Sequence, residues 1–234
     1  MLSKKIAIVQ SSYIPWKGYF DIINSVDEFV VYDTAGYSKN SWRNRNRIPG
    51  PNGLQWLTIP VKVDYLNQPV NEIRIHDFRW AARHWKTLKA IYGKAPYFRL
   101  FAPSLTELYE NNATEFYLSA VNVRFLHFIC RQLSISTPLF FAQDLTDIDD
   151  PTEKLIHICR SRKATHYLTG PAARDYLRLS RFEEENITVE WMNYEGYPEY
   201  YQQSSSFSHY VSILDLLFRT GPDASMFMKS FSNP

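Results

Sequence analysis

Residues 6–33 read IAIVQSSYIPWKGYFDIINSVDEFVVYD, and this stretch decides the fold. The β-branched runs Ile6–Val9 and Phe29–Tyr32 predict two strands, and the residues between them predict a helix. A strand–helix–strand unit makes the two strands parallel neighbours. The loops at 10–21 and 33–47 then leave the carboxyl ends of adjacent strands, which is where open α/β sheets bind ligands.

The rest of the chain continues the alternation of strand and helix signals. Residues of about 77–134 predict a helical block, and extended and helical segments alternate after it. We therefore predict an α/β fold: a Rossmann-like, mostly parallel sheet with flanking helices and a helical middle segment. In this interpretation one domain spans residues 1–234, with the helical block as a subdomain. The local predictions are an edge hairpin of Leu54–Val61 with Asn71–Ile75, a short segment bracketed by Pro96 and Pro103, and helices over Pro171–Leu177 and Val211–Arg219.

Composition excludes several classes of function. The chain has 234 residues, enough for one full core, and its net charge of +2 requires neither nucleic acid nor an anionic membrane as a partner. It lacks a signal-peptide pattern and any run of about 18 apolar residues, so we predict a cytoplasmic chain without a membrane span.

Cys130 and Cys159 fall on predicted apolar helix faces, which suits reduced thiols. An aromatic content of 16% serves core packing, ligand stacking or an interface, and leaves room for a homo-oligomer.

A row of arginines follows the second predicted strand. Arg43, Arg45 and Arg47 alternate with Asn44 and Asn46, so an extended segment would place the three guanidinium groups on one face. Guanidinium groups offer planar forks of donors that grip phosphate or carboxylate. The alternative is a solvated edge strand whose charge discourages pairing. The neighbouring side chains that favour a binding site are Tyr37, Lys39 and Trp42.

One acid and one turn complete the candidate site. Asp33 ends the second predicted strand, where a carboxylate can orient a ribose, a metal or a basic side chain, although a lone Asp more often caps or pairs locally. Residues 168–176 read LTGPAARDY, which predicts a strand, a turn and a helix that begins at Pro171. Such a helix start can present backbone N–H groups to an anion, but many ordinary connections contain the same residues.

Several familiar catalytic motifs are absent. The chain has no P-loop, G-x-G-x-x-G, G-x-S-x-G or H-E-x-x-H pattern. Its six histidines show no metal-ligand spacing with its two cysteines. The sequence motifs therefore identify no metal site, no cofactor and no catalytic base.

Several long phrases resemble the WbqC-like protein family. They are residues 8–21 (IVQSSYIPWKGYFD), 42–46 (WRNRN), 53–61 (GLQWLTIPV), 168–173 (LTGPAA) and 212–218 (SILDLLF), so the resemblance spans nearly the whole chain. The chain departs from the family pattern at Val9, where many members have His, and at Thr34 and Gly36, where Asp and Gln are usual. The family is associated with gene clusters for bacterial O-antigen and other surface glycans. The resemblance therefore implies a role in the synthesis of lipopolysaccharide or a related polysaccharide.

In that context the leading hypothesis is a cytoplasmic transferase that adds an acyl or aminoacyl group to a nucleotide-linked amino sugar. Such a transfer needs positioning and an oxyanion donor more than a catalytic triad. Gln10 and Asp33 are the expected catalytic residues, because they can supply directed hydrogen bonds. The expected substrate-binding residues are Tyr13, Trp16, Tyr37, Lys39, Trp42, Arg43, Asn44, Arg45, Arg47, Thr169 and Gly170.

Two other functions stay open. The chain's opening layout is similar to that of nucleotidyltransferase and pantothenate-synthetase-type folds, with WKGY at 16–19 in place of their H-x-G-H signature. A nucleotidyltransferase or adenylate-forming ligase would use ATP and magnesium, with the arginines on the triphosphate. A non-catalytic glycan-assembly scaffold would instead bind a partner enzyme through its aromatic surface.

Overall fold

The computed structural model describes residues 3–50, 53–143, 145, 147–203 and 206–231. Its strands are β1 (Lys5–Val9), β2 (Glu28–Val31), β3 (Arg45–Gly50), β4 (Gly53–Thr58), β5 (Val61–Lys62), β6 (Arg74–Ile75), β7 (Leu139–Phe141), β8 (His166–Thr169) and β9 (Thr188–Trp191). Its α-helices are α1 (Lys17–Asn24), α2 (Trp80–Tyr92), α3 (Phe98–Asn111), α4 (Leu118–Gln132), α5 (Pro151–Ser161), α6 (Leu179–Glu184) and α7 (Ile213–Thr220). Short 3₁₀ helices occupy Val70–Glu72, Pro171–Asp175 and Gly221–Phe227.

Five strands form one parallel sheet in the order β7-β2-β1-β8-β9. The chain builds from β1 outward through β2 to β7, and then crosses to the other side of β1 to add β8 and β9. This topology confirms the predicted α/β fold with a parallel sheet and flanking helices. The direction of winding reverses between β1 and β8, so the topological switch point lies there, at the carboxyl ends of these two strands.

Helices cover both faces of the sheet, because alternate residues of a strand point to opposite sides. In β1, Ala7 packs into a core shared with α1, α2, α3, α4 and α7. Its neighbours Ile6 and Ile8 pack into a second core with α5 and α6. A parallel sheet that is buried on both faces requires near-continuous apolar strands, and the Ile6–Val9 run meets that requirement.

The predicted edge hairpin was wrong in its pairing. The segment at 54–58 pairs with β3, and only the two-residue strands β5 and β6 pair across the longer connection. Two residues separate β3 from β4, whereas nine residues separate the two segments of the predicted hairpin. Closing the shorter connection costs less chain entropy, so β3 captures β4.

Two helix predictions were also wrong. Pro103 does not end a short segment but lies inside α3. The buried face of α3 includes Phe98, whose ring stacks on Trp85 with 5.7 Å between centroids, and this packing offsets the local cost of a proline. The helix expected over Pro171–Leu177 is a 3₁₀ helix of five residues, because Gly170 precedes it without a capping side chain.

The environments of the two cysteines argue against a chemical role for either thiol. Cys130 and Cys159 are free and buried, and burial raises the pKa of each thiol to about 12. A thiol with a raised pKa is a poor nucleophile, so neither cysteine is a candidate for covalent catalysis.

Within the described ranges, no helix combines the length and the apolar character needed to cross a membrane.

Candidate functional site

A cavity of about 430 Å³ opens at the carboxyl ends of β1 and β8, which is the switch point of the sheet. Open α/β sheets bind ligands at this position. The β1–α1 loop, residues 42–46, the turn after β8 and the segment at 193–211 all contribute to its wall. The lining residues are Val9, Ser12, Pro15, Trp16, Tyr19, Trp42, Arg43, Asn46, Gly170, Pro171, Ala172, Tyr194 and Tyr210.

Asp33 is a buried acceptor that shapes the β1–α1 loop. Its carboxylate accepts hydrogen bonds from the Ser11 backbone N–H and the Ser11 hydroxyl, each at 2.7 Å, and from the Ser119 hydroxyl in α4. The Asn122 side chain donates to the Ser11 hydroxyl oxygen at 3.1 Å. Asp33 is 4% exposed and does not line the cavity, so a catalytic contact with a ligand does not fit its position. Its contacts hold the loop against α4.

Gln10 connects the two loops behind the cavity. Its side-chain Nε2 donates to the carbonyl oxygens of Ala35 and Gly36, at 3.1 and 2.9 Å. Its backbone carbonyl accepts hydrogen bonds from the Tyr19 hydroxyl and from Nη1 of Arg43, each at 2.9 Å. Gln10 does not line the cavity either, and its side chain is engaged with backbone. Gln10 therefore positions the β1–α1 loop, which forms part of the cavity wall.

Arg43 supplies the charged group of the cavity wall. Its Nη1 donates to the carbonyl oxygens of Gln10 and Ser11 and to the Ser12 hydroxyl, at 2.9, 3.3 and 2.7 Å. Burial lowers the pKa of Arg43, but an arginine remains protonated. None of the described acidic residues forms an ion pair with it. The buried carboxylate of Asp33 acts on this charge without an ion pair, so an anionic ligand would supply the direct ionic contact that the described residues do not.

Aromatic side chains form much of the remaining wall. The Trp16 ring packs against the rings of Tyr194 and Tyr210, with centroid distances of 5.0 and 5.3 Å. Trp16 folds back over the start of α1, where a Cβ on Gly18 would come within 2.4 Å of the Trp16 ring. Any larger residue at position 18 would displace that ring. Burial raises the pKa of Tyr194 to about 12, so its hydroxyl stays protonated at neutral pH.

Tyr194 and Tyr210 are cavity residues that the sequence reasoning missed. They lie on the segment at 193–211, which connects β9 to α7 and has no helix or strand in its described part. The available signal was the aromatic content of this segment, roughly twice the 16% of the whole chain. That signal does not say which loop the segment covers, because the covered loop lies about 180 residues earlier in the chain.

Three predicted binding residues lie in the core instead. Tyr13 is fully buried, and its ring meets those of Trp80 and Phe125 edge to face. The Tyr37 hydroxyl donates to Oδ1 of Asn44 at 2.9 Å, and both side chains are buried. None of the three lines the cavity, so stacking of a ligand on Tyr13 or Tyr37 does not fit the structure.

The arginine row is divided between two surfaces. Arg43 precedes β3 and faces the cavity, whereas Arg45 and Arg47 lie within β3 and stack over exposed indoles. The guanidinium carbon of Arg45 lies 4.1 Å from the Trp56 ring centre, and that of Arg47 lies 5.3 Å from the Trp42 ring centre. Of the three arginines, Arg43 lines the cavity and Arg45 and Arg47 do not, so the three guanidinium groups do not form a single grip around one cavity ligand.

The turn after β8 contributes Gly170 to the wall, but not Thr169. Thr169 is buried, and its hydroxyl oxygen accepts a hydrogen bond from Tyr167 at 3.2 Å. The following 3₁₀ helix has only five residues, which favours the ordinary connection over the anion-binding helix start, the two alternatives that the sequence leaves open. Lys39 is exposed and lies outside the cavity wall. The turn therefore contributes to the shape of the cavity but adds no charged side chain to its wall.

The chemistry of the wall favours binding and orientation. No carboxylate, imidazole, thiol or amine lines the cavity in the part of the chain that the structure describes. The same residues contain no cluster of three His, Cys, Asp or Glu side chains that could hold a metal ion. The wall can accept a ring on its aromatic side and an anionic group at Arg43, but it offers no obvious general base.

A buried histidine beside Tyr13 makes stability depend on pH. Nε2 of His84 donates to the Thr58 carbonyl at 3.1 Å, so Nδ1 is free to accept from the Tyr13 hydroxyl at 3.0 Å. Burial lowers the pKa of His84 to about 4, below the value of about 6.5 for an unfolded histidine. Between these two values the unfolded chain binds one more proton, so stability is lost as the pH falls.

We expect this histidine to cost about 2 kcal/mol of the free energy of unfolding between pH 7 and pH 5. Urea unfolding at pH 7, 6 and 5 measures the loss, and His84→Gln should show a shallower dependence on pH. The matched control is His157→Gln on the exposed side of α5, which should keep the slope of the unmodified protein. An unchanged slope in His84→Gln would assign the pH dependence to other groups.

The sequence profile of the WbqC-like protein family matches residues 10–226, a range that holds every lining residue of the cavity except Val9. The chain is 45% identical over 228 residues to an uncharacterized protein of Mycobacterium tuberculosis, Rv1507c, covering 97% of this chain and 98% of that one. No solved structure matches the chain at a significant level.

Proposed function

The chain belongs to the WbqC-like protein family, and from that premise we propose that it is a transferase of surface-polysaccharide precursor synthesis. Its substrate in this proposal is a nucleotide-linked amino sugar, which receives an acyl or aminoacyl group in the cytoplasm. The family resemblance implies the biosynthetic context, and the composition of the cavity supports this class of ligand.

The observation that carries the proposal is the composition of the cavity at the switch point. Rings of Trp16, Tyr194 and Tyr210 border the site, and among the described lining residues the formal charge is that of the Arg43 guanidinium, which forms no ion pair. A nucleotide-linked sugar combines a planar base, a sugar ring and two adjacent phosphates. Aromatic faces suit the rings, and a guanidinium fork suits the phosphates.

The absence of a general base from the described wall is compatible with transfer to an amine. The neutral amine attacks the carbonyl of an activated acyl donor, and the new C–N bond forms as the bond to the donor's leaving group breaks. The leaving group departs with the electron pair of that bond, and the excess proton on nitrogen goes to water or to the leaving group, so orientation of the two reactants contributes much of the rate. Arg43 or a tyrosine hydroxyl of the wall can donate a hydrogen bond to the oxyanion that forms. By contrast, an adenylate-forming ligase requires magnesium on the triphosphate, and no described carboxylate lines this cavity to hold it.

A thermal-shift titration tests the proposed ligand. A pyrimidine-nucleotide diphosphosugar with an amino group should stabilise the protein by about 2.7 kcal/mol at 100 times its dissociation constant, which raises Tm by roughly 5–10 °C. The free amino sugar should give a much smaller shift, because it lacks the phosphates. A shift with ATP and magnesium alone would favour the ligase. No shift with any of these ligands would favour the non-catalytic scaffold.

Tyr210→Ala tests the aromatic wall. Tyr210 is 59% exposed and touches Trp16, so its loss should weaken sugar-nucleotide binding about tenfold, while stability changes by only about 0.5 kcal/mol. Isothermal titration and thermal unfolding measure the two effects separately. Tyr201→Ala is the control, since Tyr201 is 73% exposed on the same segment but does not line the cavity. Equal affinities in the two variants would remove Tyr210 from the binding site.

A further inference from the structure

The outer face of the β3–β4 hairpin carries a second aromatic and cationic surface. We call it the Trp–Arg platform and define it by Trp42, Arg45, Arg47 and Trp56. Arg47 and Trp56 are directly paired across the two strands, and the rings of Trp42 and Trp56 lie 5.3 Å apart. The guanidinium carbons of Arg45 and Arg47 lie 4.1 and 5.4 Å from the Trp56 ring centre. The four side chains therefore form one interleaved stack.

The platform is exposed but firmly supported. Trp42 and Trp56 are 41% and 44% exposed, a large apolar area to leave in water. On the opposite face of the hairpin, Asn46, Ile48 and Leu57 are buried in the interior. Nδ2 of Asn46 donates to two backbone carbonyls of the β1–α1 loop, at 3.2 and 2.9 Å. A ligand would meet a surface that is already ordered, which lowers the entropy cost of binding.

The platform also carries uncompensated positive charge. Neither Arg45 nor Arg47 forms an ion pair with any described acidic residue. Arg45 donates to the carbonyl and side-chain oxygens of Asn40, but Nε of Arg45 and Nε of Arg47 are buried without a hydrogen-bond partner. By contrast, Arg162, which lies outside the platform, forms an ion pair with the Glu28 carboxylate at 2.7 Å. The charge of the platform calls for an anionic partner.

We propose that the Trp–Arg platform binds an anionic saccharide beside the cavity. A sugar ring can lie with its C–H face on an indole, while a carboxylate or phosphate on the sugar engages the guanidinium groups. The platform continues into the cavity, because Trp42 belongs to both surfaces. Binding at the platform goes beyond the proposed function and does not depend on it. Binding of the saccharide can be tested without any assay of transfer.

Direct titration tests the platform with defined probes. The probes are trigalacturonic acid for a carboxylate, glucose 6-phosphate for a phosphate, and neutral maltotriose as the uncharged comparison. Quenching of tryptophan fluorescence and isothermal titration report binding at low salt, where charge–charge contacts are least screened. We expect at least one anionic probe to bind, maltotriose to bind at least tenfold more weakly, and the affinity for the anionic probe to fall as salt is added.

Variants separate the platform from the cavity. The double variant Arg45→Gln/Arg47→Gln and the single variant Trp56→Ala should each weaken the anionic probe at least tenfold and change sugar-nucleotide affinity less than twofold. The controls are Arg99→Gln and Phe116→Ala, which alter an exposed arginine and a 52% exposed aromatic residue away from the platform. Thermal unfolding of every variant shows whether the hairpin remains folded.

Three outcomes would overturn the inference while leaving the proposed function in place. They are failure of both anionic probes to bind while the sugar nucleotide still gives its thermal shift, equal binding of maltotriose, and probe binding that survives in the platform variants. Tighter binding of a single-stranded oligonucleotide, lost in the same variants, would also overturn it and assign the platform to nucleic acid. Loss of the sugar-nucleotide shift alone would instead contradict the cavity proposal.

Discussion

Asp33→Ala is expected to lower the free energy of unfolding by about 3–5 kcal/mol. The carboxylate accepts three hydrogen bonds from Ser11 and Ser119, and it is 4% exposed. Without it, the Ser11 N–H and two hydroxyl groups lose their acceptor in a place that water does not reach easily. Each unsatisfied buried donor costs about 1–3 kcal/mol. The β1–α1 loop would also lose its link to α4.

Chemical unfolding of purified Asp33→Ala measures this loss. Asp33→Asn should fall between the variant and the unmodified protein, because the amide keeps one acceptor oxygen and puts a donor where a second acceptor is needed. Asp149→Ala is the control, since Asp149 is exposed and should change stability by about 0.5 kcal/mol or less. Normal stability in Asp33→Ala, together with lost ligand binding or turnover, would return Asp33 to the catalytic role that the sequence predicts.

The sheet and the place of the site follow from local sequence patterns. Short β-branched runs alternate with helix-length segments, and parallel strands joined in this way bring their carboxyl ends to one edge. The loop after β1 and the turn after β8 therefore had to meet near the same edge. Trp16, Trp42, Arg43 and Gly170 are predicted binding residues that line the cavity found there.

The side-chain orientations could not be read in the same way. Tyr13, Asp33 and Asn44 occupy polar, irregular loops that look exposed in the sequence. In the structure α3 contacts Tyr13, α4 contacts Asp33, and Asn44 donates to the Ile59 carbonyl that follows β4. Their burial depends on contacts with residues up to 96 positions away, as between the hydroxyls of Tyr13 and Tyr109. Periodicity reports only which neighbours share a face. It does not report which distant element will cover a loop.

Ile14 shows why this loop resists prediction. Its φ angle is 37°, a left-handed conformation that is strained for a β-branched residue. Asn46 stabilises it by donating to the Ile14 carbonyl at 2.9 Å, and the side chain of Ile14 is fully buried. The sequence favours an extended conformation at this position, because Pro15 follows. Tertiary contacts therefore override the local preference at the edge of the cavity.

Arg43→Gln is expected to weaken sugar-nucleotide binding by about 10–100-fold, because charge-assisted hydrogen bonds to phosphate contribute about 1.5–3 kcal/mol. The variant should also lose some stability, since Nη1 of Arg43 holds the carbonyls of Gln10 and Ser11. Binding must therefore be titrated well below its melting temperature, where the variant is folded. Arg43→Lys should recover part of the affinity through its charge, but not the planar fork of the guanidinium.

If Arg43 binds the phosphates, its substitution should affect only ligands that carry phosphates. In Arg43→Gln the affinity for the nucleotide diphosphosugar should fall strongly, and the affinity for a nucleoside without phosphates should change little. Arg45→Gln, two residues away but outside the cavity, should leave both affinities within about twofold. Equal losses for the two ligands in Arg43→Gln would show that Arg43 acts only through the shape of the β1–α1 loop. The phosphates would then have to bind at a different group.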